Sequence, residues 1–434
     1  MSDTPPQLTR ATPDPLPEDA AAAGLMSRTL RSLRVDLTPL RESREYRLLF
    51  TGQGVSFAGT MVTYVAVPYQ AYSLTHSSLT VGLVSLVEFV PILAISLLGG
   101  ALADAVDRRR MVRLTEIGMC VVSAGLLVNA ALPHPRLWAL FLAVACAAAL
   151  DSLQRPSLDA LLPRIVEPQR LQSALALDFI RGEVGQLLGP ALAGLLIAVV
   201  GLPGTFGVDI ASFAASLTAL SLMRRVPPPA GAERVSLRSI AAGLRYAASR
   251  QDLLGTYLVD INAMLFGMPT ALFPQLATHF GGPAVLGILY ASPALGSLLA
   301  SATSGWIRSV RRHGKAIAIA AAAWGAAIAL LGFASALWVA VLCLVAAGAA
   351  DCVSGLFRAT VWNQTIPDAM RGRLAGIEML SYTSGPALGN LEAGVVASLA
   401  GLRASIVSGG IACVAGTVVL CAALPRFWRY RASA

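Results

Sequence analysis

The chain has 434 residues, of which 56% are hydrophobic and only 13% charged, with a formal net charge of +9. A soluble domain carries about 25% charged residues, and a chain this apolar would present too much greasy surface to stay dissolved. Composition therefore excludes an ordinary water-soluble globule and points to a bilayer as the solvent.

In chain order, residues 1–45 are polar, Pro-rich and Arg-rich and lack the apolar core of a signal peptide. They read as a partly disordered cytoplasmic tail, with 25–47 either an amphipathic helix on the membrane face or an untethered segment. Apolar runs of spanning length follow near 47–72, 79–103, 112–131, 137–161, 173–200 and 205–223. Residues 224–251 are polar, with Pro227, Pro228 and Pro229 in a row, and read as a linker. Six further runs follow near 252–274, 284–306, 316–335, 337–361, 374–399 and 404–424, and then a short tail, 425–434. The runs are apolar all round and longer than the roughly ten residues of a barrel strand, so they predict helices. The expectation is an all-α integral membrane protein of about twelve transmembrane helices, in two six-helix halves, 46–223 and 252–424.

The basic residues are almost all arginine, with Lys315 the only lysine, and they alternate by loop. Arg108, Arg109, Arg110 and Arg113, then Arg164 and Arg170, then the linker arginines, then Arg308, Arg311, Arg312 and Lys315, then Arg371 and Arg373 occupy every second connection. The intervening connections hold only Arg136 and Arg403. This asymmetry places both termini in the cytoplasm and argues against nucleic acid as the reason for the basic charge. The halves look like repeats: Gly185, Gly189, Gly194 and Gly201 recur 200 positions on at Gly385, Gly389, Gly394 and Gly401, and Asp151 at Asp351.

The six cysteines lack zinc spacing and read as small buried hydrophobes, so no metal is expected. The four histidines fall in predicted loops. No phosphate-binding loop or hydrolase motif occurs, so neither a cofactor nor an enzymatic activity is expected.

After the second run the chain reads Gly100-Ala101-Leu102-Ala103-Asp104-Ala105-Val106-Asp107-Arg108-Arg109-Arg110-Met111. This resembles the signature loop of the major facilitator superfamily at Gly100, Leu102, Ala103, Asp104, Arg108 and Arg109, and departs from it at Ala105 and Asp107. The resemblance implies a conformational latch in which Asp104 faces the start of the eleventh helix near Gly372–Leu374, where a carboxylate meets a positive dipole end. Gly185, Gly189, Pro190 and Gly194 resemble the Gly-Pro motif of the superfamily's exporters. Tyr64–Ser78, Gln154-Arg155-Pro156, Leu188–Gly194 and Gly372-Arg373 are similar to the enterobactin (siderophore) exporter and drug-efflux branch. The resemblance covers nearly the whole chain beyond the tail. It implies proton-driven, alternating-access export of a siderophore or drug-like small organic molecule from the inner membrane, by a monomer; proton-coupled uptake of a small solute is the alternative.

Ionisable residues at membrane depth are costly unless paired or wetted, so they are the candidates for proton coupling or the cavity. They are Glu88, Asp151, Arg155, Asp178, Arg181, Glu183, Asp260, Asp351, Arg358 and Glu392. Asp178 and Arg181 are spaced to pair with each other, while Arg155 and Arg358 lie near cytoplasmic ends and are expected to snorkel. Glu88, Asp260, Asp351 and Glu392 are expected to lie deeper without a local partner. The resemblance implies that the first, fourth, seventh and tenth helices line the cavity, which favours Asp151, Asp260 and Asp351 over Glu392.

Overall fold

The computed structural model describes residues 36–105, 107–224 and 245–431, and the side-chain surroundings of all of these except 96–105, 308 and 368–380. Among them every regular element is helical. The chain enters through a short helix, α1 (Thr38–Glu42), and then α2 (Arg44–Thr75), α3 (Ser78–Ala105), α4 (Arg108–Ala131), α5 (Leu137–Ile165) and α6 (Leu171–Leu222). The second half holds α7 (Gln251–Phe266), α8 (Phe273–Phe280), α9 (Pro283–Ala302), α10 (His313–Leu331), α11 (Leu337–Thr365), α12 (Asp368–Ala400), α13 (Leu402–Ala423) and α14 (Pro425–Trp428). Among the described residues eight helices are long and apolar enough to cross a membrane. Large apolar side chains stand bare around the bundle, Leu399 at 83% and Val121 at 66% exposure, which hydrocarbon tolerates and water does not.

Local chemistry explains the helix ends. Ser43 caps α2 by accepting from the Tyr46 backbone N at 3.1 Å, and its hydroxyl donates to the Ile165 carbonyl at 2.8 Å. Asp107, the departure from the signature loop, caps α4 by accepting from the Arg110 backbone N at 2.9 Å, a role an aspartate fills and a glycine cannot fill with a side chain. Arg109 reaches the far end of α6, donating to the Leu220 carbonyl at 2.7 Å and the Ser221 carbonyl at 2.9 Å. Those are orphan acceptors of a helix C-terminus.

Three expected runs are modified. The runs 173–200 and 205–223 form one path, α6, broken only at Gly201 (φ 69°, ψ 177°), a conformation open to glycine. The run 252–274 is interrupted between α7 and α8, where Pro269 and Pro274 withhold backbone donors. The indole of Trp324 takes up the freed Gly267 carbonyl at 3.0 Å. His313, expected in a loop, instead starts α10 and is buried, its Nε2 3.0 Å from the Val310 carbonyl. Residues 1–35 and most of the linker, 225–244, lie outside the described residues.

The halves meet along two seams of glycine. In one, α3 packs on α12: a Cβ on Gly82 would stand 2.5 Å from the Asn390 carbonyl, and one on Gly394 2.7 Å from the Ser78 carbonyl. In the other, α6 packs on α9, with Gly194 against Gly287. Around this end a single apolar cluster takes in both halves, from Val65, Leu126 and Phe206 to Phe273, Leu286 and Ile406. Toward the arginine-bearing end the described buried clusters belong to one half or the other. Tyr46, Leu162 and Leu177 form one, and Val259, Ile317, Phe357 and Phe427 another.

Candidate substrate cleft and buried ionic cluster

Asp351 and Arg358 are spaced by two turns and so share one face of α11. Against that face α7 brings Asp260 and α12 brings Ser381 and Tyr382. Asp260 and Arg358 are both buried, at 4% and 2% exposure, and form a direct ion pair. The Ser381 hydroxyl donates to Asp260 Oδ2 at 3.2 Å. Arg358 Nη2 also lies 3.6 Å from Asp351 Oδ1, and the guanidinium stands over the Tyr382 ring at 5.8 Å. The structure thus corrects one expectation, since Arg358 is buried and does not snorkel, and it gives Asp260, which has no local partner, a tertiary one, and Asp351 a longer contact two turns along its own helix. The cause is tertiary, since only the crossing of α7 and α11 brings the aspartate of one helix to the arginine of the other.

One cation faces two carboxylates, so the cluster carries one acid in excess. Asp260 holds the tighter contact and is sealed. Asp351 holds the longer one, and 40% of its side chain is accessible although protein surrounds it in depth. Tyr64 shows the same combination, exposed at 41% yet deep in the bundle. Depth with accessibility is the combination that the wall of a candidate cleft between helices would show. Glu88 is likewise deep and partly accessible, within electrostatic reach of Tyr64 and of Asp151. Beside them the Tyr64 ring on α2 and the Tyr290 ring on α9 meet edge to face at 5.7 Å. Glu183 on α6 and Asp351 both lie within electrostatic reach of Cys352 on α11.

The remaining candidates are placed more locally. Asp151 and Arg155 form a largely exposed pair at 3.2 Å along α5. Asp178 and Arg181 pair at 3.3 Å as their spacing predicts. Glu392 is half-buried on α12, and no hydrogen bond joins it to the cluster. The Gly-Pro motif divides its contacts. A Cβ on Gly185 would strike the Phe57 ring and one on Gly189 the Met61 side chain, both on α2, whereas Gly194 faces α9. Gly385 and Gly389 in turn face Met264 on α7. The surroundings of Gly100, Leu102 and Asp104 and of the start of α12 lie outside those described, so the expected latch contact does too; Arg108 and Arg109 lie at the start of α4.

Among the described residues two buried acids are absent from the sequence-derived candidates. Glu116 on α4 is buried and accepts from Gln53 Nε2 at 2.8 Å, Gln154 Nε2 at 2.9 Å and the Ser56 hydroxyl at 3.2 Å. Asp209 on α6 is buried and accepts from the hydroxyls of Thr63 at 2.6 Å and Ser123 at 2.7 Å. Both lie inside apolar runs, so a full census of acids in those runs contains them. Neutral donors alone hold each, in contrast to the arginine of the other half. Among the described residues no group of three or more His, Cys, Asp or Glu could hold a metal ion.

A helical bundle with two glycine seams and a buried ionic cluster is the architecture of a multi-pass membrane transporter. The family model described as transmembrane secretion effector matches residues 35–431, and the chain belongs to that family, within the major facilitator superfamily. It is 29% identical over 409 residues to the enterobactin exporter EntS of Escherichia coli O81 (strain ED1a), covering 92% of this chain and 97% of that one. The same identity and coverage relate it to the enterobactin exporter EntS of Shigella boydii serotype 18. Among solved structures, it resembles the nucleoside transporter NupG (TM-score 0.67, 16% identity, 89% of this chain and 99% of that one). It also resembles a bacterial homologue of the iron transporter ferroportin in its inward-facing state (TM-score 0.67, 15% identity, 89% and 98%). These share its fold. The relatives are transporters rather than enzymes.

Proposed function

We propose that the protein is a proton-coupled exporter of a siderophore or drug-like organic molecule, working by alternating access as a monomer. It would cross the inner membrane twelve times, in two six-helix halves, 46–223 and 252–424, joined by the linker 224–251 and with both termini in the cytoplasm. The observation that carries the reading is Asp351, an accessible acid at depth that shares Arg358 with the sealed Asp260. With one carboxylate in excess, the cluster is neutral when Asp351 holds a proton and carries a net negative charge when it does not. Neutralising the cleft lowers the cost of closing hydrocarbon walls around it, and this couples proton occupancy to the change of access. Glu88, facing the same cleft from α3, is the second candidate carrier.

The relatives' export of enterobactin supports the direction and the substrate class. The Tyr64–Tyr290 contact and the surrounding apolar wall suit an amphipathic, aromatic-bearing cargo. The shared core at the seam end and the separate cores at the arginine end support a conformation opening toward the cytoplasm, from which an exporter loads. Asp104 at the start of α12 would lock the opposite state. The test measures efflux of a catecholate siderophore and of a drug panel from cells, with and without a protonophore. Asp351→Asn should abolish uphill, proton-driven efflux while leaving downhill exchange. Undiminished proton-driven efflux in both Asp351→Asn and Glu88→Gln would overturn the assignment.

A further inference from the structure

We propose that a basic cavity at the amino end of α10 binds the phosphate headgroup of an anionic phospholipid in the cytoplasmic leaflet. The cavity, of about 410 Å³, is lined by Arg312, Lys315, Trp428, Arg429 and Arg431. Four cations therefore converge on one space. Among the described residues none of the four forms an ion pair with a carboxylate. Other basic residues toward the same end do: Arg170 pairs with Glu42 at 3.3 Å and Arg250 with Asp252 at 2.5 Å. A topology signal needs only the presence of positive charge on one side of the membrane. It does not require that the charges face one another, which costs energy until an anion fills the space between them.

Three further features fit a phosphate there. No side chain caps the amino end of α10; the Gly314 backbone N donates to the Tyr430 carbonyl at 3.5 Å, so it is the helix dipole that adds to the attraction for an anion. Lys315 lies over the Trp428 ring at 5.1 Å, and an indole beside cations is the composition of a headgroup-level belt. The tail that supplies Trp428, Arg429 and Arg431 to the lining is anchored. Phe427 is buried against Gly255, and the Tyr430 hydroxyl donates to Gln364 at 3.2 Å. The cavity is thus held between fixed elements at the end of the bundle, where the helices give way to headgroups. A free phosphate offers the same oxygen chemistry, but a lipid adds acyl chains that the bare apolar flanks of the neighbouring helices can cover.

The site takes its leaflet from the topology proposed above, but its test needs no transport, so the two readings fail separately. The full chain is purified into nanodiscs of phosphatidylcholine alone or with phosphatidylglycerol or cardiolipin, and lipid retained per protein is read by native mass spectrometry. The native protein should retain one anionic lipid in preference to phosphatidylcholine. The triple variant Arg312→Gln, Lys315→Gln, Arg429→Gln should weaken that retention by roughly a hundredfold, while a charge-matched control, Arg41→Gln, Arg110→Gln, Arg113→Gln, should not. Equal retention of anionic and zwitterionic lipid by the native protein would overturn the proposal whether or not the triple variant folds. So would equal loss in the control. Displacement of the lipid by millimolar inorganic phosphate alone would assign the site to free phosphate instead.

Discussion

Gly194 and Gly287 touch across the boundary between the halves: a Cβ on Gly194 would stand 2.7 Å from the Gly287 backbone N, and one on Gly287 2.5 Å from the Pro190 carbonyl. Neither contact leaves room for a methyl group, and backbone cannot step aside as a flexible side chain can.

Gly194→Ala or Gly287→Ala should therefore push α6 and α9 apart and destabilise the conformation sealed at that end. Overpacking of this kind costs about 1–3 kcal/mol, enough to shift a two-state balance by roughly tenfold or more. Accessibility of a cysteine placed at Tyr290 to an impermeant thiol reagent should rise. Gly125→Ala, which meets nothing within 4 Å, should leave it unchanged. Unaltered labelling in all three would show that the seam does not gate access.

Removing Arg358 strands Asp260 in a sealed site. Arg358→Gln should cost about 3–5 kcal/mol, read as a lowered Tm in detergent. Asp260→Asn added to it should restore most of the loss, because the uncompensated charge is gone. Arg358→Lys should rescue poorly, since a point charge cannot face two carboxylates and the Tyr382 ring together. Additive losses in the double variant would refute this account of the pair.

Glu116 is held by Gln53, Gln154 and Ser56, all of them donors. Glu116→Gln places an amide N–H against at least one of those donors and should cost about 1–3 kcal/mol of stability. Its proton-driven efflux should persist once expression is matched. Loss of proton coupling at normal stability would move the carrier from Asp351 to this half.

Asp36 lies outside the membrane. Hydrogen bonds from the Thr38 hydroxyl first, then from Ser173 and the Thr38 backbone N, hold its carboxyl down at about 2. A lowered folded value means that the tether of α1 to α6 is fully present above the ordinary aspartate value of ~3.9 and is lost as pH falls toward 2. Protection factors for hydrogen exchange at the start of α1, taken relative to the intrinsic rate at each pH, should fall over that window. Asp36→Asn should show the lowered protection already at neutral pH, with no further fall in acid.

The parts of this architecture that depend on local pattern were readable in the residues. Apolar runs located nearly every helix, and the 200-residue glycine offset picked out positions that pack equivalently: Gly189 on α2 and Gly389 on α7, Gly194 and Gly394 on the opposite half. The partners of buried charges were not readable, because pairing is decided by which helices cross. Asp260 and Arg358 are 98 positions apart in the numbering, and nothing local to either announces the other. Glu116 and Asp209 escaped for a related reason, since their holders are uncharged side chains with no distinctive spacing. The break after Phe266 was missed, although Pro269 and Pro274 sit in the run, and the rescue of Gly267 by Trp324 depends on a contact between helices that no local pattern announces.

The connections at the seam end are very short. α2 reaches α3 through His76 and Ser77, α8 reaches α9 through Gly281 and Gly282, and α12 turns into α13 at Gly401 alone, with φ 91°. Such a face has no flap that could fold over a departing molecule, so the door there can only be the helix tips themselves. It also offers little for an antibody fragment to grip. A binder raised to trap the transporter would find its epitope at the opposite, arginine-bearing end.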